Sequence, residues 1–69
     1  MMTLKYLRTL SCEELQKEYK YNREWQLKWF GIYEEYYKQG MRDKDVDWHL
    51  ENYTKNVNKI SRVMIERGM

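Results

Sequence analysis

Cys12 and His49 are the two side chains of this 69-residue chain that suit nucleophilic chemistry, a thiol and an imidazole that accepts its proton. The sequence holds one residue of each type. Cys12 falls at the first position of a predicted helix, where the dipole favours a thiolate. His49 falls in a second predicted helix, just past a turn. In the hairpin derived below these positions lie at opposite ends, so no catalytic pair is expected. One cysteine and one histidine also make no zinc pattern. Cys12 is therefore read as an ordinary buried side chain beside a helix cap, and His49 as a partly buried polar residue at the edge of an apolar stripe.

Carboxylates group by spacing at Glu34-Glu35 and at Asp43, Asp45 and Asp47. Neither group converges with a second titratable side chain that would shift a pKa or hold a substrate. No glycine-rich phosphate loop is present. The expectation is a chain that is no enzyme, with no catalytic residue, metal or cofactor.

Binding chemistry has more to work with. Lys17, Lys20, Arg23 and Lys28 form the densest basic region, with Tyr21 and Trp25 beside them. Aromatics next to cations can stack on unpaired bases, so a small nucleic-acid-binding helical protein is the alternative reading. A net charge of +2 is too small to identify such a binder by itself. Glu18 and Glu24 interrupt the region, and the simpler role is a solvated face with i,i+4 pairs Glu13–Lys17 and Glu24–Lys28.

These side chains are positioned by helices whose ends are written in the sequence. Ser11 followed three residues later by Glu14 is a capping box, and Leu10 with Leu15 is a hydrophobic staple. Gly40 suits the left-handed position after a helix end. Together they predict a helix over about 12–39. Asp43 or Asp45 caps a second helix over 44–67, with acid in its first turn, Arg62 and Arg67 near its end, and Gly68 closing it. Proline is absent, which favours long uninterrupted helices. Leu4, Leu7 and Leu10 predict a short helix near 3–9, while the alternation of Met2, Leu4 and Tyr6 fits an extended arm instead.

In the second helix Val46, Leu50, Tyr53, Val57, Ile60 and Met64 form an unbroken apolar stripe at alternating spacings of four and three. The same rhythm in the first picks out Leu15, Tyr19, Asn22, Gln26, Trp29, Tyr33 and Tyr36. Folding the two antiparallel about a short turn pairs Tyr36 with Val46, Tyr33 with Leu50, and Trp29 with Tyr53. It also pairs Gln26 with Val57, Asn22 with Ile60, and Tyr19 with Met64. An all-α antiparallel hairpin with a short N-terminal helix or arm follows. Within its seam, Asn22 and Gln26 either border solvent or satisfy each other locally, or they pair across a symmetric interface and fix its register.

The turn and stripe from Gly40-Met41-Arg42-Asp43 through Val46 resemble the small helical-hairpin phosphatases of sporulation response regulators. Those carry a Ser-Gln-Glu-Leu-Asp run where this chain has Leu50-Glu51-Asn52-Tyr53-Thr54. The functional signature is thus missing, and no family is assigned from so short a stretch.

One partner helix cannot cover the apolar arc of the first. Tyr21, Trp25 and Ile32 lie on one edge, and Phe30 and Tyr37 on the other. Trp48 falls opposite the stripe of the second helix, and Ile65 is also off it. Gly31 interrupts the polar side. Residues 1–69 are expected to form a single small domain, and a core of this size supplies only ~3–5 kcal/mol without a staple. With one cysteine there is no intrachain disulfide, so oligomerisation or docking is the staple that remains.

No apolar run approaches a membrane span, and the stretch MMTLKYLRTL is too short and mixed for a signal peptide. A cytoplasmic location with no membrane partner is expected. Alanine is absent while Lys, Asn and Tyr are abundant, which suggests an AT-rich gene. The functional expectation is a non-catalytic helical interaction module, dimerising into a bundle and docking on a larger protein as an inhibitor or regulator. A bacteriophage or mobile-element inhibitor of a host or antiviral factor fits that composition. Trp25, Phe30, Tyr37 and Trp48 are the expected partner-binding residues.

Overall fold

The computed structural model describes residues 2–69. Three helices follow one another: α1 (Leu4–Leu7), α2 (Cys12–Lys38) and α3 (Lys44–Glu66), with no strand among the described residues. The N-terminal segment is thus a helix, but a shorter one than the leucine spacing predicts. Thr3 caps α1, its hydroxyl accepting the Tyr6 N–H at 3.1 Å.

The caps of the long helices are those that the sequence specifies. The Glu14 N–H donates to the Ser11 hydroxyl at 3.1 Å, and the Ser11 N–H donates to the Glu14 carboxylate at 2.9 Å. The bond from the Ser11 backbone N–H, seconded by the Ser11 hydroxyl, holds the Glu14 carboxyl below its ordinary range. At the far end Gly40 has φ +70°. The Met41 N–H reaches the Tyr36 carbonyl at 2.9 Å and the Gly40 N–H reaches that of Tyr37 at 3.0 Å, a Schellman motif. Asp43 caps α3, accepting the Asp45 N–H at 2.8 Å and the Val46 N–H at 3.4 Å. Gly68, also at φ +70°, closes α3 in the same way, with the Met69 N–H on the Met64 carbonyl at 3.0 Å.

α2 and α3 pair antiparallel over their length, and α1 folds back against α3 at the open end of the hairpin. The molecule is a rod of 42 × 17 × 14 Å. The fully buried side chains all lie at that open end: Leu7 from α1, Leu15 from α2, and Ile60 and Val63 from α3. Met2, Leu4, Leu10, Tyr19 and Met64 close around them. Val63 is absent from the stripe read in the sequence. It is buried because α1 forms a third layer over that side of α3. Polar contacts hold α1 in place. The Arg8 guanidinium donates to both carboxylate oxygens of Glu66, at 3.1 and 2.8 Å, and Arg67 donates to the Arg8 carbonyl at 2.8 Å. Lys59 donates to the Met2 carbonyl at 3.1 Å. The Arg8 hydrogen bond holds the Glu66 carboxyl below its ordinary range.

The seam runs in a different register from the predicted one. Tyr53 stacks on Trp25, and Trp29 stacks on His49. The Asn56 amide donates to the Asn22 carbonyl oxygen at 3.1 Å, and the Gln26 amide donates to the Thr54 hydroxyl at 3.0 Å. The predicted pairs Trp29–Tyr53, Asn22–Ile60 and Gln26–Val57 are displaced by about one helical turn. An apolar stripe repeats every turn, so a one-turn slip still lays stripe on stripe. The polar pairs, which have a single best partner, discriminate between registers. Asn22 is buried, and it also donates to the Glu18 carbonyl at 2.8 Å. Its hydrogen bonds, like those of Gln26, are made to side chains and backbone of the same chain.

Gly31 lies on the solvent side of α2, and a Cβ added there meets nothing within 4 Å. Close packing inside the chain does not explain this glycine. Gly31→Ala is expected to stabilise the fold by about 1 kcal/mol, the difference in helix propensity. Urea unfolding followed by circular dichroism measures it, and a loss of stability contradicts it.

Candidate interaction surface

Away from α1 the hairpin has two layers only, and its side chains show the consequence. Toward the turn no residue is fully buried, and Val46 is the most covered at 5% exposure. Large apolar side chains stand in the open on both flanks.

The first flank is a row of stacked rings. Trp29 and His49 lie 4.2 Å apart with planes 11° from parallel, and Trp48 meets His49 edge-on at 4.9 Å. Trp48 is the outermost ring of the row and is 59% exposed. Beside it, Trp25 stacks on Tyr53 at 6.1 Å, Tyr21 packs edge-on to Trp25 at 6.5 Å, and the Lys28 ammonium lies 4.8 Å from the Trp25 ring centre. Trp25 is therefore half-buried, more fully covered by α3 than its place on the edge of the stripe predicts. Ile32 is exposed.

The opposite flank carries Leu27, Phe30 and Tyr37, all exposed. A shallow hollow between α2 and α3 is lined by Arg23, Gln26, Leu27, Phe30, Leu50 and Thr54. The surface continues past Tyr33, which stacks on Tyr37 at 6.3 Å. It ends in a cleft of about 270 Å³ at the turn, walled by Tyr33, Tyr36, Tyr37, Met41 and Val46. The Arg42–Asp47 ion pair, 3.3 Å long, lines the same cleft.

Three of the four predicted partner-binding residues, Phe30, Tyr37 and Trp48, are thus exposed, on two different flanks. Leu27 and Met41 join them and are not in the predicted set. Leu27 is legible in retrospect, since Arg23, Leu27, Phe30, Glu34 and Tyr37 recur at spacings of four and three and form a second stripe beside the seam.

The basic residues do not gather. Lys17 pairs with Glu13 at 3.6 Å as predicted, and Arg23 donates to the Gln26 carbonyl oxygen at 2.7 Å. Lys28 sits over Trp25 rather than with Glu24. Lys20 is exposed. Cys12 is exposed, not buried as the sequence suggests, because the capping box it adjoins faces solvent. It lies at the α1 end of the hairpin, with His49 toward the turn. Among the described residues no group of three His, Cys, Asp or Glu side chains is placed to hold a metal ion. No helix among them is long and apolar enough to cross a membrane. Comparison with models of protein families, with curated proteins and with solved structures gives no match.

Proposed function

We propose that this chain is a non-catalytic interaction module that docks on a larger protein as an inhibitor or regulator, and that it self-associates. The observation that carries the reading is the exposure of Trp48 at the outer end of a row of contacting rings. A tryptophan more than half exposed on a fixed helix is costly to leave in water, and Trp is among the residues most enriched at binding hot spots. Its ring packs edge-on against His49, which in turn stacks on Trp29, and a side chain held in this way before binding loses less entropy on docking. An AT-rich composition is compatible with a bacteriophage or mobile-element inhibitor of a host or antiviral factor.

Trp48→Ala is expected to abolish retention of the target in affinity capture, with helicity unchanged by circular dichroism. Truncation at a hot spot of this kind costs about 2 kcal/mol or more, roughly thirtyfold in affinity. Ile65→Ala is the control, because Ile65 is 74% exposed on the same helix but at its far end. Equal retention by both variants removes Trp48 from the interface.

A further inference from the structure

The Leu27–Phe30 flank is a surface for a second copy of this chain, and we infer that two hairpins pair through it antiparallel about a two-fold axis. The inference rests on the reading of the chain as an interaction module and names one of its partners. Its starting point is charge. The exposed stripe on this flank begins with Arg23 and, after Leu27 and Phe30, reaches Glu34. Arg23 and Glu34 are eleven residues apart, three turns plus about 20°, so they share one face at a separation of about 16 Å along the helix. Positive charge, apolar centre, negative charge is a self-complementary order. Turned end for end, it matches itself: Arg23 of each copy faces Glu34 of the other, and Leu27 faces Phe30. That reciprocity is what a two-fold interface requires. Neither Arg23 nor Glu34 takes part in a salt bridge among the described residues, so both charges are available.

The fold places the rest of the surface consistently. Cross-hairpin contacts put Leu50 level with the middle of this stripe, since Trp29 stacks on His49 and Gln26 bonds Thr54. The hollow lined by Leu27, Phe30 and Leu50 therefore lies on the axis, where the Phe30 ring of the second copy enters it. About twenty residues of each α2 overlap, roughly 30 Å at 1.5 Å per residue. With the rod's 17 Å breadth this gives a footprint on the order of 500 Å² per chain, about 1,000 Å² in all, the lower bound for a specific interface. The pairing is accordingly concentration-dependent rather than permanent.

The test is sedimentation equilibrium across a wide range of concentration, with charge reversals. Wild-type protein should shift from one chain to two as concentration rises. Arg23→Glu and Glu34→Arg, taken singly, should each weaken association by roughly tenfold or more, because like charges then meet twice across the axis. An equimolar mixture of the two single variants should associate again. One chain then carries acid at both positions and the other carries base at both, so opposite charges meet at each end of the interface. The double variant restores opposite charges in the reversed order and should also associate. Both sites are exposed, and unchanged helicity in each variant confirms the fold. A monomer at every concentration overturns the inference, as does a dimer indifferent to the single reversals or a mixture that does not associate. A monomer whose target retention still depends on Trp48 sinks the pairing alone and leaves the docking reading standing. A charge-dependent dimer indifferent to Trp48 does the reverse.

Discussion

Ile60→Ala is expected to leave little folded protein at physiological temperature. Ile60 is fully buried where α1, α2 and α3 meet, against Leu7, Leu15 and Val63. Truncating a buried isoleucine to alanine costs about 2–5 kcal/mol, the lost transfer energy plus the cavity left behind. A single core in a chain this short supplies only ~3–5 kcal/mol. The two ranges overlap, so one substitution is comparable to the whole stability of the monomer. Collapse of the cavity is restricted because Arg8 is tied to Glu66 and Arg67 to the Arg8 carbonyl, which hold α1 at its present height. Thermal and urea unfolding measure the effect, with Ile65→Ala as the exposed control expected within about 0.5 kcal/mol of wild type. A loss below about 1 kcal/mol for Ile60→Ala would mean that this cluster is not the core.

The features legible in the sequence are those set by chemistry local to a few residues. The capping box at Ser11, the left-handed glycines at 40 and 68, and the Asp43 cap each have partners within two to five positions, so spacing alone specifies them. The seam register is not legible from the stripe, because a stripe with a one-turn repeat is satisfied equally by two registers. The part-buried Asn22–Asn56 pair carries the missing information, yet Asn56 lies beside the apolar stripe, where nothing marks it as a partner. Val63 and Leu7 are hidden for a related reason. Their burial depends on where α1 lands, and that is fixed by Arg8, Glu66 and Arg67, groups that come together only in three dimensions. Of the candidate surface, Trp48 is visible as an aromatic opposite its own stripe. The placing of His49 between Trp29, on which it stacks, and Trp48, which meets it edge-on, is not, since it depends on the register.

Trp29→Ala tests a different consequence of the same layout. Trp29 is half-buried and stacks on His49 in the two-layer half of the rod. Full burial of a tryptophan makes its truncation cost about 3–5 kcal/mol, and half-burial lowers the expectation to about 2–3 kcal/mol. The loss should be confined to one region. The α1 end keeps its own cluster of fully buried side chains and its polar clamp, whereas the turn half has only the ring stacks and Val46 beneath them. Regions differing in this way open with different free energies. Amide hydrogen exchange should therefore quicken in residues 26–36 and 46–53 of the Trp29→Ala variant while residues 57–63 stay protected. In Ile60→Ala the order reverses or protection is lost throughout. Uniform acceleration in both variants would show a single cooperative unit. Since Trp48 is backed by His49, and His49 by Trp29, loosening this stack should also weaken target retention without removing any atom of Trp48. A Trp29→Phe variant, which keeps a ring to stack on His49, is expected to recover most of both losses.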